Sequence, residues 1–201
     1  MNKKPHILFL YSDTGGGHRS AALAIIEALE TYFPGKVTTE MLDFFVAYAP
    51  PPFDRAPEAY AMMSEVPNLW DLGYKLSNGK YRSKLVNDVL WPYIRTAAAN
   101  LVSEHPCDMF VSVHPIINTP LLRILGEVHK PYMIVITDLV STHAFWYNRD
   151  ATLTLAPTEE AKMRGLGFGM DPDSIQVVGQ PIADQFRQPM PPKTELRSQL
   201  G

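Results

Sequence analysis

The sequence predicts an α/β fold in which helices flank a doubly wound parallel sheet, and three stretches carry that reading. Residues 6 to 30 pass from an apolar segment, His6-Ile7-Leu8-Phe9-Leu10-Tyr11, through a glycine turn into a helical pattern marked by Ala22, Leu23, Ile25, Ile26 and Leu29. Residues 36 to 45 are a second strand favoured by Val and Thr, so strand, helix and strand fit within about forty residues, the span of a βαβ unit. Pro131-Tyr132-Met133-Ile134-Val135-Ile136-Thr137-Asp138 is a near-continuous apolar run, which implies an interior strand buried on both faces. Together these describe a Rossmann-like sheet, whose ligands lie at the carboxyl edge of the strands.

Composition narrows the functions open to such a fold. A chain of 201 residues that is 46% hydrophobic buries one good core, or at most two small ones. The net charge of -3 and the absence of a Lys/Arg-rich run set nucleic acid aside as a partner. Cys107 is the single cysteine, so no internal disulfide forms and a reducing compartment is expected, with the thiol a small half-buried filler. Met1-Asn2-Lys3-Lys4-Pro5 runs directly into a strand, so no signal peptide is expected. No apolar stretch approaches the ~20 residues that span a bilayer, so a lipid-directed protein would lie on a membrane.

The first loop, Ser12-Asp13-Thr14-Gly15-Gly16-Gly17-His18-Arg19-Ser20-Ala21, is the chemical centre of the sequence. No Lys-Ser/Thr follows the glycines at the Walker spacing, which removes a kinase or ATPase reading. Gly15-x-Gly17-x-x-Ser20 nearly matches the dinucleotide fingerprint, with Asp43 about where the ribose-binding acid falls, some twenty residues on. A plain strand-to-helix turn ending in a solvated His is the structural alternative. Functionally, Gly15, Gly16 and Gly17 let a ligand approach the main chain, and the helix then aims free N–H groups at it beside His18.

Further along, residues 44 to 81 are expected to form a long irregular connection broken by Pro50, Pro51 and Pro52, with a helical piece from about Arg55 to Met63. Phe53, Tyr60, Met62, Met63, Leu69, Trp70 and Tyr74 exceed what a plain connection needs. They read either as a lid on the core or as a membrane surface, with Lys75, Lys80, Arg82 and Lys84 attracting anionic headgroups. Apolar spacing predicts a helix over 84 to 104, kinked or split at Pro92. A central strand over 108 to 113 ends at His114-Pro115, and His114 either orients an acceptor or caps a helix over 119 to 129. Asp138 emerges where the run from 131 ends, and His143 and Trp146 follow. A short strand over 151 to 155 precedes a helix capped by Thr158 with Glu159 and Glu160 in its first turn, and a last strand covers 174 to 178. Residues 186 to 192 read as a stiff linker, and 193 to 201 as the start of another helix.

The Ser12-to-Ala21 loop resembles the opening loop of the monogalactosyldiacylglycerol synthases and related processive diacylglycerol glucosyltransferases, two-domain enzymes of the GT-B type. Ser112-Val113-His114-Pro115, Thr137-Asp138-Leu139, Pro157-Thr158-Glu159-Glu160 and Gly179-Gln180-Pro181-Ile182 resemble family stretches at matching places, although Ala144 stands where the family has Pro after the His. The resemblance implies that residues 1–182 are the N-terminal acceptor-binding half of a GT-B glycosyltransferase. Residues 183–201 would then be an interdomain linker and the start of a C-terminal donor domain outside this chain. It implies inverting transfer of a hexosyl group, galactose or glucose, from a UDP-sugar to diacylglycerol, with His18 as base and Asp138 orienting it or binding the acceptor. Gly15, Gly16, Gly17, His114 and His143 would bind acceptor or phosphate, and Phe53, Trp70, Lys80 and Arg82 would face a membrane with anionic lipids. The donor would be held mainly by the other domain, leaving this chain alone inactive. No cofactor and no metal are expected, since no His/Asp/Glu spacing suggests a site. The expected location is cytoplasmic, peripheral on the inner face of the plasma membrane. A peptidoglycan-type N-acetylglucosaminyltransferase acting on a lipid-linked muramyl acceptor, a dinucleotide-dependent oxidoreductase domain and a nucleotide-free membrane-binding module are the alternatives.

Overall fold

The computed structural model describes residues 3–14, 16–55, 58, 62, 67–126, 128–187 and 192–200. Six strands form one sheet: β1 (His6–Tyr11), β2 (Thr38–Asp43), β3 (Met109–Ser112), β4 (Tyr132–Val135), β5 (Leu153–Ala156) and β6 (Ile175–Val177). All neighbours pair in parallel, in the order β2-β1-β3-β4-β5-β6. The chain runs outward from β1 to β2 and then returns across β1 to β3, so the winding reverses between β1 and β3. In open α/β sheets ligands bind at such a reversal, outside the carboxyl ends of the two strands.

The pleat assigns alternate residues to two cores. Phe9, Val111 and Val135 pack on Ala22, Ile25, Ile26 and Leu29 of α1 (Gly17–Tyr32). Leu8, Leu10, Phe110 and Ile134 pack on the opposite side with residues of α2 (Phe44–Tyr48), α4 (Lys80–Glu104) and α5 (Asn118–Leu125). The helix α3 (Pro67–Ser77) precedes α4, α6 (Glu159–Gly167) follows β5, and α7 (Lys193–Leu200) closes the described chain. Leu23, one of the residues that marked the helical pattern, is 49% exposed, because Ala21 and Ala22 take the buried side of α1.

The strands fall on the stretches that predicted them: β1 keeps its expected bounds, β3 and β6 lose a residue at each end, β2 and β4 are each four residues shorter, and β5 is displaced toward Ala156. The stretch after β2 differs most. Phe44–Tyr48 is helical because the Asp43 carboxylate caps it, accepting the N–H groups of Phe45 and Val46, and a 3-10 turn follows at Phe53–Arg55. The helical piece expected from 55 to 63 lies largely outside the described residues, as does much of the expected linker from 186 to 192. Pro92 neither splits nor ends its helix, which runs unbroken for 25 residues. Pro92 is on the exposed side, where a carbonyl left without its N–H partner meets water, while Ile94, Ala97, Ala98 and Leu101 hold the other side on the core.

Candidate active site at the sheet reversal

Thr14 follows β1, His114 follows β3, and Thr137 and Asp138 follow β4, so three neighbouring strands deliver polar side chains to one edge. The loop after β1 is tied down by Asp43, whose Oδ2 accepts the Asp13 N–H at 2.9 Å. With its other oxygen capping α2, the Asp43 carboxylate serves three backbone N–H groups and is not presented to a ribose. This removes the acid that the dinucleotide reading required. Gly16 is the N-cap of α1 at φ 76°, a left-handed conformation suited to glycine, and no side chain caps this helix and no acid occupies its first turn. Its free N–H groups therefore open at the reversal. Gly15 lies outside the described residues.

His18 projects from the first turn of α1 and meets groups from three other elements. Its Nδ1 lies 2.9 Å from the Thr137 hydroxyl. Its ring meets His114 edge-on at 4.7 Å between centroids and Trp146 at 6.0 Å. Burial holds its pKa below the ordinary histidine value, opposed by the negative charge of Asp138 and a hydrogen bond with the Val113 backbone. The ring is therefore neutral near pH 7 and able to take a proton. Asp138 does not bond to His18: its Oδ2 accepts the indole N–H of the fully buried Trp146 at 2.7 Å. It acts on His18 through charge, while Thr137 makes the contact.

His114 is only 4% exposed, with Nε2 at 3.4 Å from the Thr14 hydroxyl and Nδ1 buried without a partner. Burial and the neighbouring His18 hold its pKa well below the ordinary value, so it stays uncharged. His143 lies away from this pair, and both its nitrogens are engaged. Nδ1 accepts the Phe145 N–H at 3.1 Å as the cap of a 3-10 turn (Ala144–Trp146), and Nε2 is 3.1 Å from the Ser77 hydroxyl. Of the residues read as membrane-facing, Phe53 packs against the core, Lys80 and Arg82 are exposed, and the Trp70 side chain lies outside the described residues. Among the described residues no helix is long and apolar enough to cross a membrane, and no cluster of three His, Cys, Asp or Glu stands in metal-binding proximity. A separate apolar cavity of about 310 Å³, lined by Phe9, Leu29, Met109, Met133 and Leu155 among others, includes none of the candidate site residues.

Sequence reasoning missed Thr137 as the partner of His18 and Trp146 as the partner of Asp138. The available signal was that a buried indole needs an acceptor and that Asp138 is the first acid before it.

The fold is that of the N-terminal half of a GT-B glycosyltransferase. Anabaena HepE in complex with UDP and glucose superposes with a TM-score of 0.53 at 15% identity, covering 98% of this chain and 50% of that one. The lipopolysaccharide outer core galactosyltransferase WaaB does so with 0.51 at 17% identity, covering 88% and 46%. The profile of the monogalactosyldiacylglycerol synthase family matches residues 18–182, and the chain belongs to that family. A probable monogalactosyldiacylglycerol synthase of Nicotiana tabacum is 33% identical over 97% of this chain, and monogalactosyldiacylglycerol synthase 1 of Arabidopsis thaliana is 31% identical over 97%. The chain spans 37% of the length of each. Both relatives are described as chloroplastic, which overturns the expected location on the inner face of the plasma membrane.

Proposed function

We propose that this chain is the acceptor-side domain of an inverting galactosyltransferase that moves galactose from UDP-galactose to diacylglycerol. The observation that carries the reading is a neutral His18 at the sheet reversal, beside the uncapped N-terminus of α1, in a member of the monogalactosyldiacylglycerol synthase family. The names of the relatives favour galactose over glucose and diacylglycerol over a muramyl lipid.

In this mechanism the diacylglycerol hydroxyl gives its proton to His18 as its oxygen forms the bond to the anomeric carbon. The bond from that carbon to the diphosphate breaks, and its electron pair leaves with UDP. Gly16, Gly17 and the free N–H groups of α1 receive the acceptor headgroup or the donor phosphates. His114, buried and uncharged, packs edge-on against His18 and stands 3.4 Å from the Thr14 hydroxyl, so it acts on the acceptor through these two. UDP-galactose is held mainly by the second domain of the GT-B pair.

The membrane surface is assigned to α3 and α4. Tyr81, Leu85, Val89 and Tyr93 recur every four residues on α4, each at least 60% exposed, and Leu72 and Leu76 on α3 are exposed as well. Lys80, Arg82 and Lys84 stand among them to meet anionic headgroups.

The test is transfer of labelled galactose from UDP-galactose into vesicle diacylglycerol by the intact protein and by His18→Ala. A loss of at least about 100-fold is expected for the variant, and unchanged turnover sinks the proposal. Parallel arms with UDP-glucose and with a lipid-linked muramyl acceptor separate the competing sugars and acceptors.

A further inference from the structure

His18 is oriented by a hydroxyl, whereas a carboxylate stands one residue further on and is turned elsewhere. We infer that Thr137 is a positioning residue that accepts the Nδ1–H of His18, fixing the tautomer that leaves Nε2 free to receive the acceptor proton. The inference rests on the base role proposed above and deepens it.

A neutral imidazole has one nitrogen with a lone pair, and the hydrogen bond at the other nitrogen decides which. At His18 two contacts compete for that role, the 2.9 Å contact between Nδ1 and Thr137 Oγ1 and a hydrogen bond with the Val113 backbone, and we assign it to Thr137. Thr137 is well placed to impose it. It follows Ile136, whose N–H is fastened to the Leu155 carbonyl at 2.9 Å, so the hydroxyl rides on the ordered end of β4. Its β-branch also restricts χ1, so that little rotamer freedom remains to be lost. The other side chains around the ring do not substitute for it. Trp146 has a donor and no acceptor, and spends that donor on Asp138 Oδ2. His114 meets the ring edge-on.

Choosing a hydroxyl over a carboxylate has a chemical consequence. A carboxylate bonded to Nδ1–H would stabilise the imidazolium strongly and raise the pKa of His18. A hydroxyl accepts the same N–H before and after Nε2 takes the proton, with a smaller gain, so burial keeps the ring neutral at rest. The negative charge needed once the proton arrives is supplied without a direct bond, by Asp138.

Long-range ¹⁵N–¹H NMR of the histidine ring of His18, compared between this chain and its Thr137→Val variant, is the first readout. The expected result is a protonated Nδ1 and a bare Nε2 in the unaltered protein, with the tautomer mixture moving toward Nε2–H in Thr137→Val. The second is galactose transfer by the intact protein. Thr137→Val is expected to lower kcat at least about tenfold with the KM for acceptor little changed, and Thr137→Ser, which keeps the hydroxyl, to restore most of it. An Nε2–H donated to the Val113 backbone in the unaltered protein overturns the inference, as does a Thr137→Val protein with unchanged tautomer and kcat. Turnover that survives His18→Ala overturns the base role instead, and the NMR result is independent of that outcome.

Discussion

Trp146 gives its indole N–H to Asp138 at 2.7 Å, and this bond holds the carboxylate within electrostatic reach of His18 without touching it. Trp146 is fully buried, so its N–H needs a partner, and Asp138 meets that need while lending its charge to the site. Asp138→Asn keeps an oxygen for the indole and removes the charge. Since that charge raises the pKa of His18 against burial, the variant should titrate His18 at lower pH than the unaltered protein. Following the His18 ring protons by NMR through a pH series checks this. An upward or absent shift contradicts the assignment of Asp138 as an electrostatic partner.

His143 sets a second pH dependence, of stability. Burial first, and then the charge of Arg164, push its pKa down from 6.5 to about 4. Below pH 6.5 the unfolded chain binds a proton that the folded ring refuses, so stability falls as pH drops from 6.5 towards 4. The ring is partly exposed, and solvent screening reduces the effect to about 1–2 kcal/mol. His143→Asn keeps an acceptor for the Phe145 N–H and removes the titration. Urea unfolding at pH 7 and pH 4.5 should therefore show a pH penalty smaller by about 1 kcal/mol in the variant, with a slope of the same sign left from His18 and His114.

Gly16 and Gly17 separate strain from ligand access. Gly16 has φ 76°, and a Cβ there meets nothing within 4 Å, so Gly16→Ala costs only the backbone strain, about 1–2 kcal/mol. Gly17 carries no positive φ and its Cβ also has open space, so Gly17→Ala should leave stability unchanged or slightly raised. If ligand atoms approach the main chain at this loop, Gly17→Ala nevertheless lowers transfer activity at least about tenfold. Thermal denaturation and galactose transfer on the two variants distinguish these effects, and full activity in Gly17→Ala counts against close approach.

The parts legible in the sequence are those set by short-range pattern. Interior parallel strands are apolar runs, so β1, β3 and β4 were visible, and His18, His114 and Asp138 stood out as polar residues ending or following such runs. What pairs with what was not legible. Thr137 and His18 are 119 residues apart in sequence, and nothing in the Thr137-Asp138 dipeptide says that the hydroxyl, not the carboxylate, turns to the imidazole. Asp43 shows the same limit. Its place at the end of β2 suggested a ribose-binding acid, while the structure spends its carboxylate on capping α2 and tying the loop at Asp13. A short helix held by one cap leaves no periodicity to read.

The α4 stripe gives the last prediction. Tyr81, Leu85, Val89 and Tyr93 are 83%, 64%, 60% and 65% exposed, so replacing them removes little packing from the fold. Leu85→Glu with Val89→Glu should leave the melting temperature within about 2–4 °C and cut binding to anionic vesicles at least about tenfold. Lys80 contributes through charge, and Lys80→Ala should weaken binding about fivefold, the equivalent of about 1 kcal/mol per basic residue near an anionic surface. Because that part is screened, raising the salt should erase the Lys80→Ala difference while the Leu85/Val89 defect persists. Vesicle co-sedimentation at low and high salt reads both. Equal binding by all variants, or a salt response identical in the two, removes α4 from the membrane face and leaves its stripe to pack against protein.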